Sequence, residues 1–228
     1  MDIVASDVEG TLTTGATWRG VGRYHQASAQ RWQYRLFLAL HLPDLGLAKL
    51  GVRDVETFKA RWIRDLSYLF ADFDHHAMQQ LCHAVVEEEL WPLRREDVLE
   101  ELQRYQQQGC RIVLASGVYQ PLLEAFAAKM AEEGLQAEAL GTLLEYHPQR
   151  QRYSGRLASV VSTGQTKLER LQAYLQQQEQ PAVLRAALGD SLADIPMLEA
   201  SREPVAVYPD DVLQAKAKSA GWRQLGHL

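Results

Sequence analysis

Asp7 and Glu9 are carboxylates at positions i and i+2 of the run DVEGT, which ends at Thr11. They follow a short apolar stretch, Ile3 to Ala5, that meets turn-forming residues at once, the pattern of a fully buried strand. If the chain turns there, both acids project into one crevice. One can then attack a phosphorus atom to give an acyl phosphate. The other can protonate the leaving oxygen and afterwards deprotonate a water. The plain alternative is a strand-ending turn with solvated acids, since Asp and Gly are ordinary turn residues.

Three further places carry chemistry of the same kind. Ser116 and Gly117 close the apolar run CRIVLA. A hydroxyl and free main-chain N–H groups at a helix start suit a phosphate oxygen, although serine is also a common N-cap. Lys167 opens a helical stretch after Ser162, Thr163 and Gly164, where an ammonium can neutralise charge developing on a phosphoryl group. In GDSLADIPM, Asp190 ends a strand and Asp194 lies one turn later on the same face. Carboxylate oxygens are what a hard cation such as Mg2+ takes, with water and phosphate completing its shell. A solvated lysine and a capping aspartate are the ordinary readings of these last two places. What sets all four apart is a shared position after a predicted strand, the edge where open α/β sheets bind ligands.

The elements that must position these residues follow from periodicity. From about residue 16 to 90 the chain reads as helical, with breaks expected at Pro43, Gly46, Gly51 and Asp72–Asp74. Beyond Pro92, Val98, Leu99, Leu102 and Tyr105 keep helical spacing and Gly109 supplies a C-cap. Residues 110–116 form a strand, and Leu122, Phe126 and Met130 mark the next helix. Residues 137–146 and 151–161 suggest a hairpin around His147–Arg150. A helix over 165–178, a strand over 182–189, a helix through SLADIPMLEA, a strand at PVAVY and a helical tail from Asp210 complete the pattern. This alternation implies βαβ units and a mainly parallel sheet, an α/β fold. The helical block interrupts it just after the first strand, as an insertion on the catalytic side.

The order DVEGT, Ser116, Lys167, then Asp190 with Asp194 resembles the haloacid dehalogenase superfamily, and most of all its phosphoserine-phosphatase-type branch. YSGRL before Lys167 and the ending VAVYPDDVLQAKAKSAGW are similar too. The resemblance covers residues 1–15 and about 95–228. It implies a Rossmann-like core (residues 1–15 and 92–228) with a helical cap (16–91), and a Mg2+-dependent phosphatase acting through an aspartyl phosphate. Asp7 would be nucleophile and metal ligand, with the Glu9 carbonyl and Asp190 as further ligands. Glu9 would be the acid and base, Ser116, Gly117 and Lys167 would hold the phosphoryl group, and Thr11 and Asp194 would support the site. Two residues depart from the pattern: Glu9 stands where the family usually has a second Asp, and Ala193 where phosphoserine phosphatases often carry Asn. The extra methylene of Glu9 leaves two alternatives open, a phosphotransferase or mutase using the same intermediate, and a phosphate-ligand-binding protein with little turnover.

Residues 17–43 hold arginines and aromatics but no acid. Arg19 and Arg23 are thus candidates for recognising a further anionic or aromatic group on the substrate, beside a second reading of a basic amphipathic helix touching a membrane surface and the plainer one of a cap helix with a solvated basic face. Composition narrows the partner class. The net charge is −5, with acids and bases mixed, unlike a nucleic-acid binder. Cys82 and Cys110 form no CxxC or Cys/His cluster and read as buried thiols. The N-terminus lacks a basic n-region, and no apolar run spans a bilayer. The expectation is a cytoplasmic enzyme acting on a small phosphorylated metabolite, without nucleic acid or stable membrane association.

Overall fold

The computed structural model describes residues 1–27, 31–49 and 55–226. Its core is a six-stranded sheet built from β1 (Asp2–Ser6), β2 (Arg111–Tyr119), β3 (Ala137–Thr142), β6 (Val183–Gly189), β7 (Glu203–Val207) and β8 (Arg223–Leu225). Between β3 and β6, β4 (Leu144–His147) and β5 (Arg152–Leu157) make a separate antiparallel hairpin. The main sheet runs β3-β2-β1-β6-β7-β8, and every pairing in it is parallel. Strands buried on both faces need apolar residues at successive positions, which explains Ile3, Val4 and Ala5.

Alternate residues of the strands feed two cores. Val4, Ile112, Leu114, Ala186 and Leu188 pack with α5 (Glu96–Gln107) and α6 (Gln120–Glu132), whose Leu102 and Phe126 are fully buried. Ile3, Ala5, Val113 and Ala187 face α7 (Gly164–Gln176), α8 (Ile195–Glu199) and α9 (Asp211–Ala220) through Leu171, Leu198 and Leu213. The result is a sheet covered by helices on both faces, the α/β arrangement the alternation implied.

The segment between β1 and α5 is helical. It comprises α1 (Thr17–Gln26), α2 (Arg31–Lys49), α3 (Val55–Leu66) and α4 (His75–Val85), followed by a π-helical turn over Val86–Leu90. The two crossings between this segment and the sheet run side by side. The Thr13 hydroxyl donates to the Leu90 carbonyl at 2.6 Å. The Thr14 N–H donates to Leu93 at 3.0 Å and the Arg95 N–H to Leu12 at 2.8 Å.

Several expectations are corrected. α2 continues across Pro43 and Gly46. An interior proline costs about 3 kcal/mol, and burial of Tyr34, Phe37 and His41 on the preceding turns offsets it. Gly51 lies outside the described residues. The expected break at Asp72–Asp74 is present, with Asp72 at φ 64 and the Asp74 side chain capping α4. Residues 137–142 belong to the parallel sheet beside β2, so the hairpin is confined to β4 and β5. β2 runs on through Ser116 to Tyr119, and α6 begins only at Gln120. Ser116 and Gly117 therefore sit on extended chain, not at a helix N-terminus. Among the described residues, no helix is long and apolar enough to cross a membrane.

Candidate active site

The site forms where β1 and β6 end side by side. Asp7 directly follows β1, and its N–H donates to the Leu188 carbonyl at 3.0 Å, which ties the turn to β6. Lys167, near the start of α7, points to the same place. Its Nζ donates to Asp7 Oδ1 at 2.9 Å and to Asp194 Oδ1 at 2.6 Å. All three residues are buried. The second oxygen of Asp194 accepts from the N–H groups of Asp190 (3.2 Å) and Ser191 (3.1 Å) and from the Ser191 hydroxyl (3.1 Å). Asp194 thus fixes both the lysine and the loop that carries Asp190.

Thr11 holds Asp190 from the other side, its hydroxyl donating to Asp190 Oδ1 at 2.8 Å. Gly10 lies between them at φ 92. A Cβ there would fall 2.2 Å from Asp190 Oδ2, so the glycine answers both a left-handed backbone and a close approach. Ser116 is buried beside Asp7, where its hydroxyl favours the charged form of the Asp7 carboxyl. Glu9 reaches toward the helical segment, where its carboxyl accepts a hydrogen bond from the Thr17 N–H at the start of α1.

Three carboxylates around one ammonium leave an excess of negative charge. Oxygens of Asp7, Asp190 and Asp194 lie within 4.8 Å of one another. Burial, reinforced by Asp7 and Asp194, pushes the Asp190 carboxyl up to about 7. Asp7 is likewise raised, by burial above all and then by Asp194, although Lys167 opposes the shift. Burial alone would lower Lys167, but Asp194 and Asp7 outweigh it and raise its pKa. Burial also raises the Glu9 carboxyl, against the Thr17 N–H hydrogen bond that favours its charge. An all-oxygen donor set with surplus charge fits a small hard cation such as Mg2+. Groups with displaced pKa values in one cleft also mark a site of chemistry.

A sequence comparison matches residues 4–199 to the haloacid dehalogenase-like hydrolases. The chain belongs to that family. No curated protein matches it in sequence. Among solved structures, a protein of unknown function from Bordetella pertussis Tohama I has TM-score 0.81 at 16% identity, covering 99% of this chain and 98% of that one. A phospho-aspartyl intermediate analogue of phosphoserine phosphatase has TM-score 0.58 at 16% identity, over 98% and 92% of the two chains. Cytosolic 5′-nucleotidase IIIB bound to cytidine has TM-score 0.58 at 12% identity, over 96% and 76%. At such identities the likeness is one of fold, and it places this haloacid dehalogenase-like hydrolase beside the phosphoserine-phosphatase-type structures.

The cavity of this family member holds about 180 Å3 and is lined by Asp7, Glu9, Ser116, Gly117, Lys167, Asp190 and Asp194. The structure therefore brings together the four places singled out in the sequence. It does not bring Arg19 and Arg23 to the cavity wall. They turn to Glu89, whose side chain is fully buried, with Arg23 Nη2 at 2.9 Å and Arg19 Nη1 at 3.9 Å. A buried carboxylate must be paired, which accounts for where these arginines point. In their place the helical segment contributes Trp18, Lys59, Trp62, Ile63 and Leu66. No spacing rule marks those residues. Only the aromatic content of α1 and α3 hints at them.

Proposed function

We infer that the protein is a Mg2+-dependent phosphatase that releases phosphate from a small phosphomonoester through a phosphorylated Asp7. The observation that carries this reading is the buried Lys167 bridging Asp7 and Asp194, with Asp190 among the same oxygens. A phosphoserine phosphatase of similar fold has been solved as a phospho-aspartyl intermediate analogue, which is consistent with that chemistry here.

The steps follow from the residues. A carboxylate oxygen of Asp7 attacks phosphorus and the bond to the leaving alcohol breaks. Glu9, whose pKa is raised by burial, holds a proton to give to that alcohol oxygen. The Ser116 hydroxyl, the Gly117 N–H and the Lys167 ammonium take the non-bridging oxygens. Glu9, now ionised, removes a proton from water, the water oxygen attacks phosphorus, and the Asp7–phosphate bond breaks. Asp7, Asp190 and the Glu9 carbonyl would hold Mg2+, which when bound supplies positive charge against the phosphoryl oxygens.

Phosphate release from a panel of phosphorylated metabolites, measured with Mg2+ and again with excess chelator, tests the reading. Metal-independent release, or none from any ester, would sink it. Transfer of phosphate to added alcohols in preference to water would instead make it a phosphotransferase. Glu9→Gln is expected to lower kcat by about 10^2- to 10^4-fold, the usual yield of a positioned acid and base. Esters with very acidic leaving alcohols should bypass the first proton transfer and leave phosphoenzyme accumulating. An unchanged kcat would remove Glu9 from the mechanism.

Metal binding should depend on pH with a definite sign. Asp190 holds its proton up to about 7 in the metal-free fold, so Mg2+ must displace that proton below this pH. Apparent Mg2+ affinity is expected to fall by roughly tenfold per unit as pH drops below 7 and to level off above it. Titration by calorimetry at pH 6 and pH 8 checks this. Equal affinities would remove Asp190 as a ligand.

A further inference from the structure

α2 carries two apolar stripes where packing needs one. Tyr34, Phe37 and His41, at helical spacing, are buried. The Tyr34 hydroxyl donates to the Trp18 carbonyl at 3.2 Å, Phe37 packs edge-on against Trp62 at 4.9 Å, and His41 Nε2 meets Asp65 at 2.9 Å. These contacts fix α2 to α1 and α3. The second stripe, Trp32, Leu36 and Leu40, recurs every fourth residue on the outer side and is 60%, 51% and 63% exposed. Tyr68, in the 3-10 turn Ser67–Phe70 after α3, lines the same groove and is 55% exposed. Single exposed apolar side chains need no explanation, but a contiguous set marks a surface that something covers.

The charges around this set are mostly of one sign. Arg31 and Arg35 run beside the outer stripe of α2, both exposed, and neither meets an acid among the described residues. On α3, Arg61 in the groove wall and Arg64 both pair with Asp65, at 3.4 and 2.9 Å. Asp65 is the one acid among the described residues of that wall. The whole chain carries −5, so this local surplus of arginine is not inherited from composition. Arg61 and Tyr68 also line an adjoining groove with Arg64, Arg156, Leu157 and the exposed Val160. Ala60 and Thr163 belong both to that groove and to the wall of the active-site cavity.

We propose that this face of the helical segment rests reversibly on an anionic lipid surface. Trp32, Leu36, Leu40 and Tyr68 lie at the headgroup boundary, and Arg31, Arg35, Arg61 and Arg64 meet lipid phosphates. Aromatic side chains favour that boundary. A helix with Trp and Leu on one strip and arginines beside it lies in the interface plane, drawn there by anionic lipids. A second copy of the chain fits less well. A two-fold contact sets one surface against itself, which would bring arginine against arginine. One short stripe gives weak, salt-sensitive binding and not an anchor, in keeping with the lack of a membrane-crossing helix among the described residues. The inference is independent of the phosphatase reading.

The test is flotation of the full chain with vesicles of phosphatidylcholine alone and of phosphatidylcholine mixed equally with phosphatidylglycerol. Binding is expected to the anionic vesicles only, and to weaken about tenfold or more between roughly 0.05 M and 0.5 M salt. Arg31→Gln with Arg35→Gln should weaken it by about tenfold or more, since each arginine at an anionic surface contributes roughly fivefold. Leu36→Gln with Leu40→Gln should weaken it by a similar factor. Both double variants should melt like the parent, because the side chains are exposed and glutamine is a good helix former. Tryptophan emission should shift to the blue on anionic vesicles, and Trp32→Phe should remove most of that shift. The inference is overturned if anionic vesicles are not bound, if neutral vesicles are bound as well, or if either double variant binds like the parent. A dimer that Leu36→Gln with Leu40→Gln dissolves, in place of vesicle binding, would overturn it too and assign the face to a second copy of the chain.

Discussion

Asp7→Asn is expected to reduce phosphate release by roughly 10^4-fold or more, the scale on which loss of a nucleophile is felt. The amide cannot make the acyl phosphate, and no neighbouring group replaces it. Asp194 is occupied by Lys167 and Ser191, and Asp190 by Thr11. The fold should survive, because the amide keeps the shape of the carboxyl and Lys167 keeps its 2.6 Å contact with Asp194. The sign of the stability change follows from the raised pKa of Asp7. The folded state binds that proton more tightly than the unfolded chain, so an ionised Asp7 weakens the metal-free fold once pH exceeds its folded pKa. Without metal at pH 8, Asp7→Asn should melt no lower than the parent. Single-turnover assays and thermal melts decide both points, and a substantially active variant would end the nucleophile assignment.

Lys167→Met should be costly in two ways at once. The lysine is the one cation in contact with Asp7 and Asp194 among the described residues. Removing one partner of a buried pair strands the other charge, which typically costs about 3–5 kcal/mol. Activity should fall by about 10^3-fold, because charge developing on the phosphoryl group would lose a preorganised donor. The stability loss should shrink at pH 6, where Asp190, with its pKa near 7, is mostly protonated. It should shrink again with Mg2+ at pH 8. Denaturant titrations under the three conditions measure this. A variant within about 1 kcal/mol of the parent at pH 8 without metal would show that the acids do not depend on the ammonium.

The sheet and most of its helices were legible because their signals are local. Ile3 to Ala5 and Ala186 to Leu188 are short apolar runs because both faces of a parallel strand are buried. The four chemical places were legible because strand ends must deliver them to one edge. β8 was missed since Arg223, Gln224 and Leu225 carry no alternation; their strand exists only through pairing with β7. β3 was misplaced since its sequence runs into β4 with only Leu143 between them. The pairing of Arg19 and Arg23 with Glu89 joins residues far apart in the chain, which no spacing rule anticipates. The same holds for Trp62, whose place in the cavity is set by how α3 leans on Tyr119, the Tyr119 hydroxyl donating to the Ile63 carbonyl.

The paired crossings near Thr14 and Leu93 bear on how such a chain can evolve. These residues are 79 positions apart in sequence yet hydrogen-bonded to each other, so to the sheet everything between them is one closed loop with a tied neck. Loop-closure entropy grows only as the logarithm of length, about 0.6 kcal/mol per doubling. Lengthening, trimming or exchanging the part of that loop carrying Trp18 and Trp62 would cost the sheet little. Asp7, Lys167, Asp190 and Asp194 lie outside the neck, and descendants could trade one leaving group for another while the phosphate chemistry is inherited unchanged.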